Sequence, residues 1–156
     1  MSRSLLHWED IDVGRVIDLG PHKLTRQEIL AFALQYDPQP FHIDEAAAEQ
    51  SIYGGIIASG WQTAAVAQRL LVNGFLNGAA SLGSPGIDAL RWRKPVHPDD
   101  ELSLRLRVVG KELSAKFDDR GSVDIEHEIR NQCGEMVMSY RARIMIGRRN
   151  PLAMDT

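Results

Sequence analysis

The sequence predicts an α+β domain in which an antiparallel sheet wraps around one buried helix. Three observations predict it. The elements run in the order strand, two helices, then four strands, which sets the helices apart from the sheet. The later strands alternate apolar and polar residues with period two. One helical stretch is apolar nearly all the way round, the pattern of an interior helix.

Residues 13–20 read as a short strand bounded by Gly14 and Gly20. Thr25 then opens a helix. Thr25 and Glu28 have the capping-box spacing, in which hydroxyl and carboxylate each satisfy a free helix-end amide. Ile29, Phe32, Ala33 and Tyr36 follow as an amphipathic stripe. Pro38 and Pro40 stop the helix, so residues 37–42 are expected as a loop. Asp44 is placed to cap a short helix over 45–50, and Gly54 and Gly55 break the chain again. The interior helix is expected over 60–76. Trp61, Ala64, Ala65, Val66, Ala67, Leu70, Leu71 and Val72 are all assigned to its buried surface. Strands are expected at 87–94, 101–113, 123–131 and 136–147. The alternation is cleanest at Leu102, Leu104, Leu106, Val108 and at Met138, Tyr140, Ala142, Ile144, Ile146. A turn over 95–100 and a hairpin at Gln132-Cys133-Gly134 join them. Residues 1–149 read as one domain and 150–156 as a frayed tail, with Arg148 and Arg149 solvated.

Composition narrows the function classes. Of 156 residues, 18 are basic and 21 acidic, a net charge of −3 that offers no field for nucleic acid or an anionic membrane. Cys133 is the single cysteine, so neither an internal disulfide nor a cysteine zinc cluster is available. His7, His22, His97 and His127 show no metal-ligand spacing, and no metal is expected. The longest weakly polar run, 56–72, is interrupted by Ser59, Gln62, Gln68 and Arg69 and does not read as a membrane span. The first ten residues lack the apolar stretch of a secretory signal, and a cytoplasmic location is the expectation. No dinucleotide, P-loop or Gly-x-Ser-x-Gly pattern occurs.

Asp37 and His42 lie five residues apart on a segment stiffened by two prolines. A carboxylate and an imidazole facing one pocket can share one water, one accepting a proton while the other supplies one. Gly60 opens the interior helix, where a backbone N–H and the helix dipole can hold a developing oxyanion. Spacing alone leaves plainer roles open: Asp37 before Pro38 suits a helix-end turn, His42 suits a hydrogen-bonded histidine, and Gly60 suits a loop glycine.

The segment Tyr36-Asp37-Pro38-Gln39-Pro40-Phe41-His42-Ile43-Asp44, with Tyr53-Gly54-Gly55-Ile56-Ile57-Ala58-Ser59-Gly60 downstream, resembles the hydratase motif of the MaoC-like dehydratases, the (R)-specific enoyl-CoA hydratases. Trp8-Glu9-Asp10-Ile11-Asp12-Val13-Gly14, Arg93-Lys94-Pro95-Val96 with Asp99-Asp100, and Arg130-Asn131-Gln132-Cys133-Gly134-Glu135 extend the likeness over nearly the whole chain. The resemblance implies a hot-dog fold and reversible addition of water to a 2-enoyl thioester. It also implies a homodimer joined edge to edge, with a substrate tunnel near the interface. Asp37 and His42 would be the catalytic dyad, and the Gly60 amide would serve the oxyanion. CoA would be a substrate carrier, with no resident cofactor. Arg91, Arg93 and Lys94 suit either the CoA phosphates or a solvated strand face. Tyr53 and Ile57 suit either an acyl pocket or simple packing.

Two positions depart from the family pattern. Gln39 stands where Asn is usual, and its extra methylene shifts the amide relative to the dyad. Ser59 stands where His often precedes the Gly, which changes the pocket wall expected there. Two other readings therefore stay open: an acyl-CoA thioesterase on the same fold, and a non-catalytic acyl-thioester binding module.

Overall fold

The computed structural model describes residues 4–151. The expected tail beyond residue 151 lies outside them. The chain forms strand β1 (Val16–Leu24), helices α1 (Arg26–Tyr36), α2 (Pro40–Ile43), α3 (Glu45–Gln50) and α4 (Gly60–Gly74), and strands β2 (Ser81–Gly83), β3 (Ile87–Trp92), β4 (Asp100–Leu113), β5 (Arg120–Arg130) and β6 (Met136–Gly147). All strand pairings are antiparallel. The order is β1-β4-β5-β6, with β2 and β3 lying end to end along the far edge of β6. The sheet curves around α4, the hot-dog arrangement.

The period-two alternation turns Leu102, Leu104, Leu106 and Val108 of β4 inward, with Val123, Ile125 and Ile129 of β5 and Met138, Ile144 and Ile146 of β6 beside them. The outward residues between them are charged and pair across strands. Arg105 grips Asp18 with two hydrogen bonds, Arg143 does the same to Asp124, and Arg141 reaches Glu126. Exposed pairs of this kind add little stability and keep the outer face wet.

Several features differ from expectation. β1 starts later and runs on to Leu24, because Gly20, at φ +102°, absorbs a register shift between Leu19 and His22 instead of ending the strand. β2 was not foreseen, since three residues are too few to show a period. Pro40 does not sit in a loop but opens α2, where its fixed φ suits the first helical position and its missing amide costs nothing. Arg148 is largely covered rather than solvated, bonding Glu9 and the Asp118 carbonyl; Arg149 stays solvent-exposed as expected yet pairs with Asp10, and the two tie the end of the sheet to the N-terminal turn.

α4 is also less enclosed than expected. Thr63, Val66, Ala67 and Leu71 form one buried stripe at helical spacing, with Gln62 beside it. Trp61 and Ala65 are exposed, because only one sheet packs against the helix. The Gln62 amide donates to the Glu28 carbonyl at 2.9 Å and fixes α4 against α1. α1 starts at the expected capping box, with Glu28 N to Thr25 Oγ1 at 3.2 Å and Thr25 N to Glu28 Oε2 at 2.8 Å. Asp44 caps α3 through the Ala47 amide. No described helix is long and apolar enough to cross a membrane.

Leu104 is 1% exposed within β4, between β1 and β5. Leu104→Ala is expected to cost about 2–5 kcal/mol, read from the denaturant midpoint at unchanged slope.

Candidate active site

α1 ends at Asp37, whose amide closes the last turn onto the Ala33 carbonyl. One turn later α2 directs His42 inward, where it is 4% exposed. His42 Nδ1 lies 2.7 Å from the Ile57 carbonyl, and His42 Nε2 lies 3.3 Å from Asp37 Oδ2. A carbonyl can only accept, so Nδ1 carries a proton. In the neutral ring Nε2 is then a bare acceptor facing a second acceptor. A water donating one hydrogen to each relieves that opposition; so does a proton on Nε2 itself.

Two donors hold the carboxylate. Ser59 Oγ donates to Asp37 Oδ2 at 2.7 Å, and Gln39 Nε2 donates to Asp37 Oδ1 at 2.8 Å. Burial pushes the Asp37 pKa up. The Ser59 and Gln39 hydrogen bonds, joined by the charge of His42, outweigh burial and hold it below the ordinary aspartate value. The extra methylene of Gln39 thus does not keep its amide from the carboxylate. Ser59 was expected on the pocket wall. It is instead 0% exposed, and its hydroxyl is turned to Asp37.

A cavity of about 480 Å³ opens beside this pair. Asp37 and His42 line it, with Tyr53, Ile57 and Gly60. Phe41 sets its ring edge against His42 and also meets Tyr53, so both aromatic walls are braced. Gly60 begins α4, and the amides of Gly60 and Trp61 precede the first intrahelical bond, leaving donors at the positive end of the helix dipole.

Trp92, which the sequence did not single out, explains the glycine. Its indole lies on Gly60, and Trp92 Nε1 donates to the Gly60 carbonyl at 2.8 Å. A Cβ at position 60 would fall 2.5 Å from the ring. Trp61 is not core. It is 61% exposed and meets Trp92 edge to face at the cavity. A lone aromatic on an exposed edge strand gives no periodic signal, so nothing in the sequence flagged Trp92.

Arg93 and Lys94 line the cavity, Arg93 bonded to Ser139 and Lys94 paired with Glu135. Arg91 does not line it, and its guanidinium folds back to the Leu90 carbonyl on its own strand. Among the described residues, no group of three His, Cys, Asp or Glu side chains is arranged to hold a metal.

A hot-dog domain carrying a carboxylate–imidazole pair at the mouth of a helix-end cavity defines a class, and comparison with known proteins places the chain within it. The MaoC-like domain model matches residues 11–128, and the chain belongs to that family. A solved structure of a MaoC-like dehydratase from Rhodospirillum rubrum is 40% identical, with a TM-score of 0.85 over 93% of this chain and 99% of that one. The R-hydratase PhaJ1 of Pseudomonas aeruginosa, 23% identical, shares the fold with a TM-score of 0.76 over 96% and 93% of the two chains. The uncharacterized protein YdeM of Bacillus subtilis (strain 168) is 33% identical over 104 residues, 67% of this chain and 74% of its own.

Removing the Ser59 hydroxyl takes away a bond that favours the charged carboxylate, so Ser59→Ala raises the Asp37 pKa. A carbon-13 NMR titration of the Asp37 side-chain carboxyl is then expected to run at higher pH in Ser59→Ala than in the wild type. Gly60→Ala is expected to destabilise by about 1–3 kcal/mol through overpacking on Trp92. In a double-mutant thermal unfolding cycle with Trp92→Ala, the combined loss falls short of the sum of the single losses.

Proposed function

We propose that this protein reversibly adds water to a 2-enoyl thioester, converting an enoyl-CoA to a 3-hydroxyacyl-CoA. The observation that carries the reading is the 3.3 Å approach of His42 Nε2 and Asp37 Oδ2 at a cavity that Gly60 also lines. The water oxygen attacks C3 while one of its protons passes to His42 Nε2. Asp37 accepts the hydrogen bond of the other. Charge moves onto the thioester oxygen, which takes a hydrogen bond from the Gly60 amide. The proton on Nε2 then passes to C2, so the elements of water end on C3 and C2 and the thioester is intact.

Family membership supports this class of chemistry, and the Rhodospirillum rubrum relative is described as a dehydratase. CoA acts as substrate carrier rather than resident cofactor, and Arg93 and Lys94 suit its phosphates. Leu82, Ile87 and Trp92 are about half exposed along the free edge of β2 and β3, which supports a homodimer joined through that edge. A cytoplasmic location fits a CoA substrate.

The purified protein is assayed with crotonyl-CoA and longer enoyl-CoAs by loss of the conjugated thioester absorbance. Asp37→Asn and His42→Ala are each expected to lower kcat by roughly 10²–10⁴-fold. Activity unchanged in both variants removes the dyad assignment. Release of free thiol without hydration indicates a thioesterase instead.

A further inference from the structure

Midway along β5 and β6 the largely apolar inner face of the sheet carries a buried polar pair. His127 of β5 stacks on Tyr140 of β6 with centroids 4.2 Å apart and planes at 14°. His127 is 1% exposed. Its Nδ1 faces the Ile125 carbonyl at 3.1 Å and so carries the proton. Burial depresses the imidazole pKa to about 4, which leaves the ring neutral at physiological pH. Nε2 is therefore a bare acceptor, and it has no partner. Tyr140 is likewise desolvated, its hydroxyl pushed up to about 12. A polar pair in an apolar core is retained at a cost unless something satisfies it.

The same pair lines a second cavity, of about 100 Å³, together with Gln68, Leu71, Ser84 and Ala142. That space exceeds what one water needs. It lies along the elements that wall the first cavity. On α4, Thr63 lines the first cavity, and Gln68 and Leu71, five and eight residues on, line the second, a rise of about 8–12 Å. On β3, Trp92 lines the first and Ile87 the second.

We propose that this second cavity receives the distal end of the acyl chain and selects a chain that ends in a hydroxyl, with His127 Nε2 as the acceptor. The inference rests on the thioester reading given above. The chemistry of the lining sets the choice. A methyl terminus fills the space but leaves Nε2 unpaired. A ketone presents Nε2 with only another acceptor. A carboxylate would meet a bare lone pair, with no Lys or Arg among the lining residues to balance its charge. A hydroxyl supplies the one missing donor. The Nε2 lone pair lies in the plane of the imidazole, and stacking on Tyr140 holds that plane, so the donor must approach along it, which fixes the orientation of the chain end.

The test is a calorimetric binding series that needs no turnover. Saturated acyl-CoAs from butyryl to dodecanoyl are compared with the same chains carrying a terminal hydroxyl. On the wild-type protein, one span of chain lengths is expected to favour the hydroxyl by on the order of tenfold or more. His127→Phe abolishes that preference, and His127→Gln, which keeps an acceptor, restores part of it. Equal affinities at every length in the wild type, or a preference that survives in His127→Phe, overturns the proposal. The wild-type comparison decides the matter alone if His127→Phe does not fold. Crotonyl-CoA hydration by the wild type separates the two readings: turnover without a chain-end preference overturns only this one. Failure to bind any acyl-CoA overturns both.

Discussion

The short contact between His42 Nδ1 and the Ile57 carbonyl is the constraint on which the rest of the site depends. It ties α2 to the segment that leads into α4, two pieces of chain fifteen residues apart. It also decides which nitrogen is free. With Nδ1 committed to a carbonyl, the reactive face of the ring is Nε2, and Nε2 is what the fold aligns with Asp37. Proton chemistry at this position therefore has one channel, set by a backbone oxygen rather than by another side chain.

The carboxylate is prepared by the same segment. Ser59 stands one residue before Gly60, so the position that anchors Asp37 and the position that offers helix-end amides are neighbours. Trp92 closes the arrangement from the sheet by lying on Gly60 and bonding its carbonyl. Carboxylate, imidazole and amide are thus held by hydrogen bonds to groups in or beside a helix and a strand, which suits groups that must be in place before a substrate arrives.

Much of the fold was legible in the sequence. Period-two runs in β4 and β6 and the Thr25–Glu28 box rest on local chemistry, and they appear where the pattern put them. Strand ends were less legible. Gly20 reads as a terminator, but only the pairing with β4 shows that it carries a bulge. α4 read as buried all round because apolar composition does not say how many neighbours a helix has. The site was legible in part. Asp37, His42 and Gly60 could be picked out by spacing and family likeness, and the structure brings all three to one cavity. The roles of Ser59 and Trp92 were hidden because each depends on a contact across 22 or more residues. Arg91 looked equivalent to Arg93 and Lys94 by proximity in sequence, yet its side chain turns away from the cavity.

The chemistry of the site depends on where the proton of His42 sits. Nitrogen-15 NMR of histidine-labelled protein, at a pH where His42 is neutral, reads the tautomer directly. The expected result is a protonated Nδ1 and a bare Nε2. A neutral ring protonated at Nε2 would place two lone pairs against each other at Ile57 and leave no base facing the water, and that result would contradict this assignment.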